Sequence, residues 1–383
     1  MTAMVPRLLK PPSGSFFLFG PRGTGKSTWI REHFPKAKTF NLLDEGLYQR
    51  LLADVTLFSR ELLALPRGSW VVVDEVQRLP SLLNEVHRFI ESHKFRFALT
   101  GSSARKLRHG GVNLLAGRAS RRLMFPFTPS ELGADFKLER ALSIGTIPLV
   151  WVREDPRDAL DAYVQMYLRE EIQAEALVRN LPGFSRFLPV SALFHGQEIN
   201  TASLARDAGV ARTTVAGYLE ILEDTLLATR LPAYEGRLRV REKKHPKLFW
   251  IDPGLVRALK GQHGPLAAEE RGPLLEGLAL MLLGAHGAAA RAWDAIHYWS
   301  PAEAKMTEVD FLLTQGKEKK AIEVKAATRL REDHLRGLRA IDGLAGLERR
   351  ILVYLGEAVL KTEDGIEVWP FETFAERLAS RKL

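Results

Sequence analysis

The sequence predicts an α/β fold built around a phosphate-binding loop, followed by smaller helical and mixed parts. Three observations predict it. The run Gly20-Pro21-Arg22-Gly23-Thr24-Gly25-Lys26-Ser27 fits the pattern G-x-x-x-x-G-K-[ST] and follows the apolar stretch 16–19. A second apolar stretch, Trp70-Val71-Val72-Val73, ends in the adjacent acids Asp74 and Glu75. Strand-like and helix-like segments alternate around both, to about residue 133.

The chemistry of the loop follows from its residue types. Glycines let backbone N–H groups close around phosphate oxygens, and a helix N-terminus adds partial positive charge. The expected cradle for ATP is therefore Gly20, Pro21, Arg22, Gly23, Thr24, Gly25, Lys26, Ser27 and Thr28. In it Lys26 reaches the β- and γ-phosphates and the Ser27 hydroxyl sits on Mg²⁺. The stretch 70–73 reads as a strand buried on both faces of a parallel sheet. Its terminal acids then emerge at the rim where phosphates lie. Asp74 is placed to hold Mg²⁺ through water, and Glu75 to polarise the water that attacks the γ-phosphate. A bare glycine turn and an ordinary acidic strand end are the alternatives, and the pairing of the two motifs disfavours both.

Bulk composition sets limits. The 383 residues suffice for two or three domains, and with 46% hydrophobic residues each can bury a core. Lys and Arg number 55 against 46 Asp and Glu, a formal charge of +9 that favours polyanion contact where the charges cluster. The absence of cysteine excludes disulfides, zinc–thiolate sites and cysteine nucleophiles. Arg7 and Lys10 precede an apolar run that leads into the loop, so the N-terminus reads as a strand rather than a signal peptide. The run 274–290 is the most apolar later stretch; it carries Glu276 and His286 and reads as too short to span a bilayer. The expectation is a cytoplasmic protein without membrane contact.

Along the first part, 16–19 is a strand, 26–34 a helix, 38–43 a candidate strand and 48–64 a helical stretch. After 70–73 come an amphipathic helix over 81–93 and a strand over 95–100, ending in Thr100-Gly101-Ser102-Ser103. Ser102 or Thr100 at that tip could sense the γ-phosphate or position water; capping the next helix is an equal alternative. From 104 to 122 the chain carries Arg105, Lys106, Arg108, Arg118, Arg121 and Arg122 with no acid. Ring-forming ATPases set an arginine of a neighbouring subunit against the γ-phosphate, and Arg118 is the candidate for that finger. A solvated basic turn or a DNA-facing patch would read the same way.

Residues 134–190 read as a mostly helical lid, with 158–177 the clearest amphipathic run. Beyond them Asn200 or Thr201 caps one helix, Gly209 makes a tight turn, and Ala211-Arg212-Thr213-Thr214-Val215 opens a second helix. Arg212, Thr213 and Thr214 would face a major groove. The stretches 226–231 and 238–240 are candidate wing strands. Arg237, Arg239, Arg241, Lys243, Lys244 and Lys247 against the single acid Glu242 read as a phosphate-contacting wing, although such modules also bind proteins.

The C-terminal part has its own constellation. Glu308-Val309-Asp310-Phe311 and Ala321-Ile322-Glu323-Val324-Lys325 alternate polar and apolar residues around the turn-like 315–319. Folding near 316–317 sets Asp310 opposite Glu323, at ~5 Å between Cβ atoms. Two facing carboxylates repel unless a cation lies between them, and a second Mg²⁺ or Mn²⁺ would relieve that repulsion. Lys325, on the face of Glu323, could then orient or activate a metal-bound water. Asp followed by Glu-x-Lys on the next strand is the core of PD-(D/E)xK nuclease sites, and Glu276 on a preceding helix matches their additional acid. A plain exposed hairpin neutralised by Lys325 is the alternative.

Taken together, the chain resembles the predicted AAA-superfamily ATPases of bacteria and archaea whose C-terminal half is a nuclease-like domain of unknown function. The motifs that carry this are Gly20 to Ser27, Val73-Asp74-Glu75-Val76-Gln77, Leu99-Thr100-Gly101-Ser102, Ala116-Gly117-Arg118 and Gly145-Thr146-Ile147-Pro148. They continue with Lys247-Leu248-Phe249-Trp250-Ile251-Asp252-Pro253-Gly254-Leu255, Leu275-Glu276, Glu308-Val309-Asp310-Phe311 and Ile322-Glu323-Val324-Lys325. Pro253 departs from the pattern, since such proteins usually have a small polar residue there. The expected architecture is an AAA-type P-loop core over 1–133, a helical lid over 134–190, a winged helix-turn-helix over 191–248 and a PD-(D/E)xK nuclease-like α/β domain over 249–383. The resemblance implies ATP binding and, less firmly, a role on DNA. The favoured function is a DNA-associated motor or remodelling ATPase acting as a ring, a homo-oligomer with a hexamer as the candidate size. An ATP-controlled metal-dependent nuclease and a nucleotide-gated protein-binding switch are the competing functions.

Overall fold

The computed structural model describes residues 5–102, 115, 117–167, 181–235, 245–301 and 307–383. Contacts divide the chain into two units. One comprises Leu9–Phe125 with Asp224–Leu226; the other comprises the residues before Leu9, Pro126–Glu223 and Leu227–Leu383. Residues 134–190, 191–248 and 249–383, expected as three domains, share the second unit apart from Asp224–Leu226.

The first unit is built on strands β1 (Phe16–Phe19), β2 (Lys38–Asn41), β3 (Trp70–Asp74), β4 (Arg96–Gly101) and β5 (Ser120–Leu123). They form one sheet in the order β2-β3-β4-β1-β5, with every pairing parallel. A parallel sheet must be covered on both faces, and side-chain alternation divides the apolar residues accordingly. Phe16, Leu18, Val72 and Ala98 share a core with Trp29 and Ile30 of the helix Lys26–His33. Phe17, Phe19, Val71, Val73, Phe97 and Leu99 pack in a second core with Leu51, Phe58, Leu62, Val86 and Phe89. Those five side chains come from the helices Glu45–Ala53, Thr56–Leu63 and Leu82–His93. The expected single helical stretch 48–64 is therefore two helices. Asp54 ends the first, and its carboxylate accepts the Thr56 N–H at 2.9 Å, so the side chain competes with the helix for the backbone.

In the second unit Asn200 caps the helix Thr201–Ala208 by accepting from the N–H groups of Ala202 and Ser203 at 3.0 and 3.1 Å. Gly209 follows at φ +64°, a left-handed turn that glycine adopts freely, and the helix Arg212–Asp224 begins beyond it. A three-stranded antiparallel sheet contains β6 (Gln197–Glu198), β7 (Ala228–Leu231) and β8 (Lys247–Trp250) in the order β6-β8-β7. The strand β7 thus pairs with β8; the segment 238–240 lies outside the described residues. The expected boundary at 248/249 falls inside β8.

A six-stranded sheet completes this unit: β9 (Ala295–Trp299), β10 (Val309–Gln315), β11 (Glu318–Lys325), β12 (Leu347–Tyr354), β13 (Leu360–Lys361) and β14 (Glu367–Pro370). Its order is β13-β14-β12-β11-β10-β9. The hairpin β10–β11 pairs Gln315 with Glu318 and Phe311 with Ile322, around a two-residue turn with Gly316 at φ +58°. On its other side β11 pairs with β12 in parallel, and the helix Ala268–Ala290 packs against it. The hairpin is consequently interior, not exposed. That helix has 23 residues and is long and apolar enough to cross a membrane, which corrects the length argument drawn from 274–290. Of its most apolar window, 67% is buried within the protein.

A buried acid ties the motif at Gly145 to that at Asp252. Fully buried Asp252 accepts the Thr146 N–H at 2.6 Å and caps the helix Pro253–Leu259 through the Leu255 N–H at 3.2 Å. Burial pushes its carboxyl up to about 6, against the backbone donors that hold it down. Pro253 occupies the first helical position, where its missing N–H has no intrahelical partner to lose. Gly145 sits at φ +74°, and a Cβ there would lie 1.7 Å from Asp252 Oδ1. Gly145→Ala is therefore expected to destabilise the second unit by more than ~2 kcal/mol, from backbone strain and displacement of the cap together. A drop in the thermal unfolding midpoint checks this.

Candidate functional site

Parallel pairing puts the C-terminal ends of β1, β3 and β4 at one edge of the first sheet. The loop leaves β1 there. Gly23 and Gly25 take φ +80° and +88°, and a Cβ on Gly20 would lie 2.4 Å from the Met124 carbonyl oxygen. Gly25 precedes the helix Lys26–His33, whose first bond runs from the Trp29 N–H to the Gly25 carbonyl at 2.9 Å. Lys26 is buried, and its Nζ donates to the carbonyls of Gly20 and Pro21 at 2.7 and 3.1 Å. The ammonium thus curls over the loop it would share with phosphates.

Beside it, the Ser27 hydroxyl donates to Asp74 Oδ2 at 2.9 Å, and the fully buried Thr100 hydroxyl donates to Asp74 Oδ1. Glu75 follows at φ +58°, and its N–H donates to Thr100 Oγ1 at 3.3 Å. Gln77 Nε2 donates to Glu75 Oε2 and, at 3.2 Å, to Ser102 Oγ. The Gln77 Oε1 is buried with no hydrogen-bond partner, and a Cβ on Gly101 would lie 2.5 Å from it. Between the two tip residues considered from sequence, Thr100 touches Asp74 while Ser102 touches Gln77. Arg118, at the far end of the basic segment, is half-exposed and pairs with Glu91. Arg105, Lys106 and Arg108 lie outside the described residues.

These residues fit a magnesium nucleotide. Ser27 and Asp74, already within hydrogen-bond distance of each other, would hold Mg²⁺, and Lys26 lies on the loop where phosphates would bind. The ion would neutralise charge on the phosphates.

The C-terminal constellation is also brought together, with a different balance of charge. Asp310 and Glu323 are buried, at 1% and 4% exposure. Asp310 N–H donates to Glu323 Oε2 at 3.3 Å, and Val324 N–H donates to Asp310 Oδ2 at 2.7 Å. Lys325 Nζ pairs with Glu323 Oε1. Asp310 Oδ1 is buried without a partner. Glu276 belongs to the same electrostatic group. Burial first, then the neighbouring Asp310, pushes the Glu323 carboxyl up to about 8 and Glu276 well above its ordinary range. Burial likewise raises Asp310, against Lys325 and Lys247. For Lys325 burial acts downward, yet Asp310 and Glu323 hold it above its ordinary value.

The metal expected between Asp310 and Glu323 does not fit this arrangement. Among the described residues no three His, Cys, Asp or Glu side chains group as a metal site. The Lys325 and Lys247 ammonium groups relieve the repulsion instead, and burial shifts the acids toward their neutral forms. Lys247, expected from sequence in the phosphate-contacting wing, is instead buried with Nζ 2.6 Å from Glu308 Oε1, and sequence reasoning gave no site role to Gln77. The one local signal for Lys247 is a charged residue opening the apolar run Lys247-Leu248-Phe249-Trp250.

Arg212 and Thr213 are exposed at the start of the second helix of the pair, and Arg212 Nε donates to Thr201 Oγ1 at 3.2 Å; Thr214 is half-buried. Arg237, Arg239, Arg241, Lys243 and Lys244 lie outside the described residues.

The raised Glu323 has a consequence for stability. Its folded pKa exceeds its unfolded one, so the stability it confers is full below about pH 4.5 and is lost as pH rises through about 8. Glu276 and Asp310 act in the same direction over this range; Lys325 and Lys247, also raised, add a loss only above their ordinary value of 10.5. The thermal midpoint of the second unit should fall by several degrees between pH 5 and pH 9, and Glu323→Gln should flatten that fall. Calorimetric scans across the range check it.

Three family models match successive parts of the chain. Residues 13–133 match an AAA domain, 135–265 a domain of unknown function (DUF8612) and 271–374 another (DUF4143). Uncharacterized proteins of Mycobacterium tuberculosis and Mycobacterium bovis are each 29% identical over 291 residues. The match covers 74% of this chain and 64% of each relative, so the chain spans less than two thirds of their length. Similar solved structures include the Aeropyrum pernix ORC1 protein in complex with DNA, at 16% identity and a TM-score of 0.27 over 66% of this chain and 87% of that one. The ADP form of Aeropyrum pernix ORC2 has 14% identity and a TM-score of 0.32 over 66% and 88%. With scores this low the likeness adds nothing to the fold described above. The family match and the loop together assign residues 13–133 as an AAA-type P-loop ATPase domain.

Proposed function

We propose that the chain is a DNA-associated motor or remodelling ATPase that works as a ring of identical subunits. The observation that carries the reading is the convergence of Lys26, Ser27, Asp74 and Glu75 at one sheet edge. Lys26 binds the β- and γ-phosphates, and Ser27 and Asp74 hold the metal. Glu75 accepts the proton of the attacking water on its carboxylate, and Arg118 of a neighbouring subunit supplies charge to the γ-phosphate. Thr100 orients Asp74, and Ser102 acts through Gln77. The helix pair around Gly209, as the core of a winged helix, sets Arg212, Thr213 and Thr214 against DNA, with the basic segment from Arg237 to Lys244 on the phosphates.

A second reading has a specific observation in its favour. Gln77 clamps the Glu75 carboxylate, which suits a nucleotide-gated switch that rarely hydrolyses. In that case the helix pair binds a protein partner. A metal-dependent nuclease is favoured less, because Lys325 already occupies Glu323.

Turnover separates the readings. Lys26→Ala is expected to abolish nucleotide retention, and Glu75→Gln to lower turnover by about 10²-fold or more while nucleotide still binds. A switch would keep its function in Glu75→Gln. Measurable ATP turnover that duplex or branched DNA does not raise would sink the motor.

DNA affinity gives an independent check. Binding should weaken steeply with salt, and Arg212→Ala should make the slope of log K against log salt shallower by about 0.9 for the phosphate contact it removes. Fluorescence anisotropy at several salt concentrations measures this.

A further inference from the structure

Lys247 belongs to β8 in the three-stranded sheet, yet its ammonium ends among the acids of the six-stranded sheet. The residue is 4% exposed, with Nζ 2.6 Å from Glu308 Oε1 and 5.3 Å from the centre of the Tyr298 ring. The Tyr298 hydroxyl donates to the carbonyl of His245, two residues before Lys247, so the ring is tied to the chain segment that carries the lysine. Glu198 and Leu231 flank Lys247 across the sheet and fix its place in the strand. Burial of the ammonium is opposed by the charges of Asp310, Glu308 and Glu276, which keep Lys247 protonated.

Among the described residues the acids of the cluster are Glu276, Glu308, Asp310 and Glu323, and its cations are Lys247 and Lys325. Glu308 and Glu323 meet ammonium groups, and burial shifts Glu276 and Asp310 toward their protonated forms. Glu323 is engaged on both oxygens, by Lys325 and by the Asp310 N–H. Asp310 gives Oδ2 to the Val324 N–H. Glu308 Oε1, both Glu323 oxygens and Asp310 Oδ2 each face an N–H donor, and for Glu308 that donor is the Lys247 ammonium.

We propose that Lys247 is the resident cation of this chamber, standing where a divalent ion would stand among Glu276, Glu308 and Asp310, and that it makes the cluster a metal-independent ion network. Removing the ammonium leaves carboxylates that face each other uncompensated, together with the partnerless Asp310 Oδ1. Such a chamber recruits a divalent ion in its place.

Binding of Mn²⁺ to the full chain without nucleotide, counted by electron paramagnetic resonance of the free ion, tests this independently of ATP turnover. The variants are Asp310→Asn, Lys247→Met, Lys247→Arg and the Lys247→Met/Asp310→Asn pair. Wild type and Asp310→Asn should bind equal numbers of ions, since any ion near Ser27 and Asp74 is common to both. Lys247→Met should gain one ion per chain, lost again in the double variant, and Lys247→Arg should match wild type. A wild-type ion that Asp310→Asn removes overturns the proposal, as does a folded Lys247→Met that gains none. Should Lys247→Met fail to fold, the wild-type comparison with Asp310→Asn still decides between a metal site and a lysine-filled one.

Discussion

The hydrogen-bonded chain Ser27–Asp74–Thr100 is the constraint on which the nucleotide edge depends. Each member comes from a different element, and each arrives there because β1, β3 and β4 run parallel in adjacent register. A parallel sheet delivers all its strand ends to one side, so one edge receives the loop, the acids and the hydroxyl together. The apolar residues of the strands are divided between two cores, which fixes register strongly: a slip by one residue would turn Val71 and Val73 into the face meant for Val72. Fold stability and site geometry are thus the same constraint seen from two directions.

In the second unit the governing constraint is charge neutrality under burial. Buried Asp310 and Glu323, with half-buried Glu276 and Glu308 beside them, cannot be held together without compensation, because an unpaired buried charge costs far more than a pairing recovers. The chain meets this with Lys325 from within the hairpin and Lys247 from another sheet. The link has a mechanical consequence. Removing Lys247 disturbs two sheets at once, because its ion pair with Glu308 couples the three-stranded sheet to the six-stranded one.

What could be read in advance depended on how local the cause was. The phosphate loop was legible because its chemistry needs eight contiguous residues. The facing of Asp310 and Glu323 was legible because a two-residue turn at Gly316 fixes hairpin register by counting. The break between the helices at Asp54 was missed, since it turns on one carboxylate choosing a backbone N–H over the helix. The Ala268–Ala290 helix was read short, because it starts in a polar segment whose Glu270 pairs with buried Arg257 and accepts the Ala267 N–H. Lys247 was the least legible of all. Nothing in its neighbourhood in the sequence says that its partner is Glu308, and only the folded chain brings the two together.

The sequence pattern Asp, then Glu-x-Lys, is compatible with two opposite physical states. In one, the lysine sits beside a metal held by both acids; in the other, it replaces that metal by pairing with one acid directly. A pattern of residue types cannot tell them apart, because both require the same spacing. What distinguishes them is the charge supplied from outside the motif. Here a second buried ammonium arrives from β8, and Glu308 Oε1, both Glu323 oxygens and Asp310 Oδ2 are directed at N–H groups. The weight therefore shifts from the motif to its counter-charge, which is the feature that any inference of metal chemistry from such a motif has to examine first.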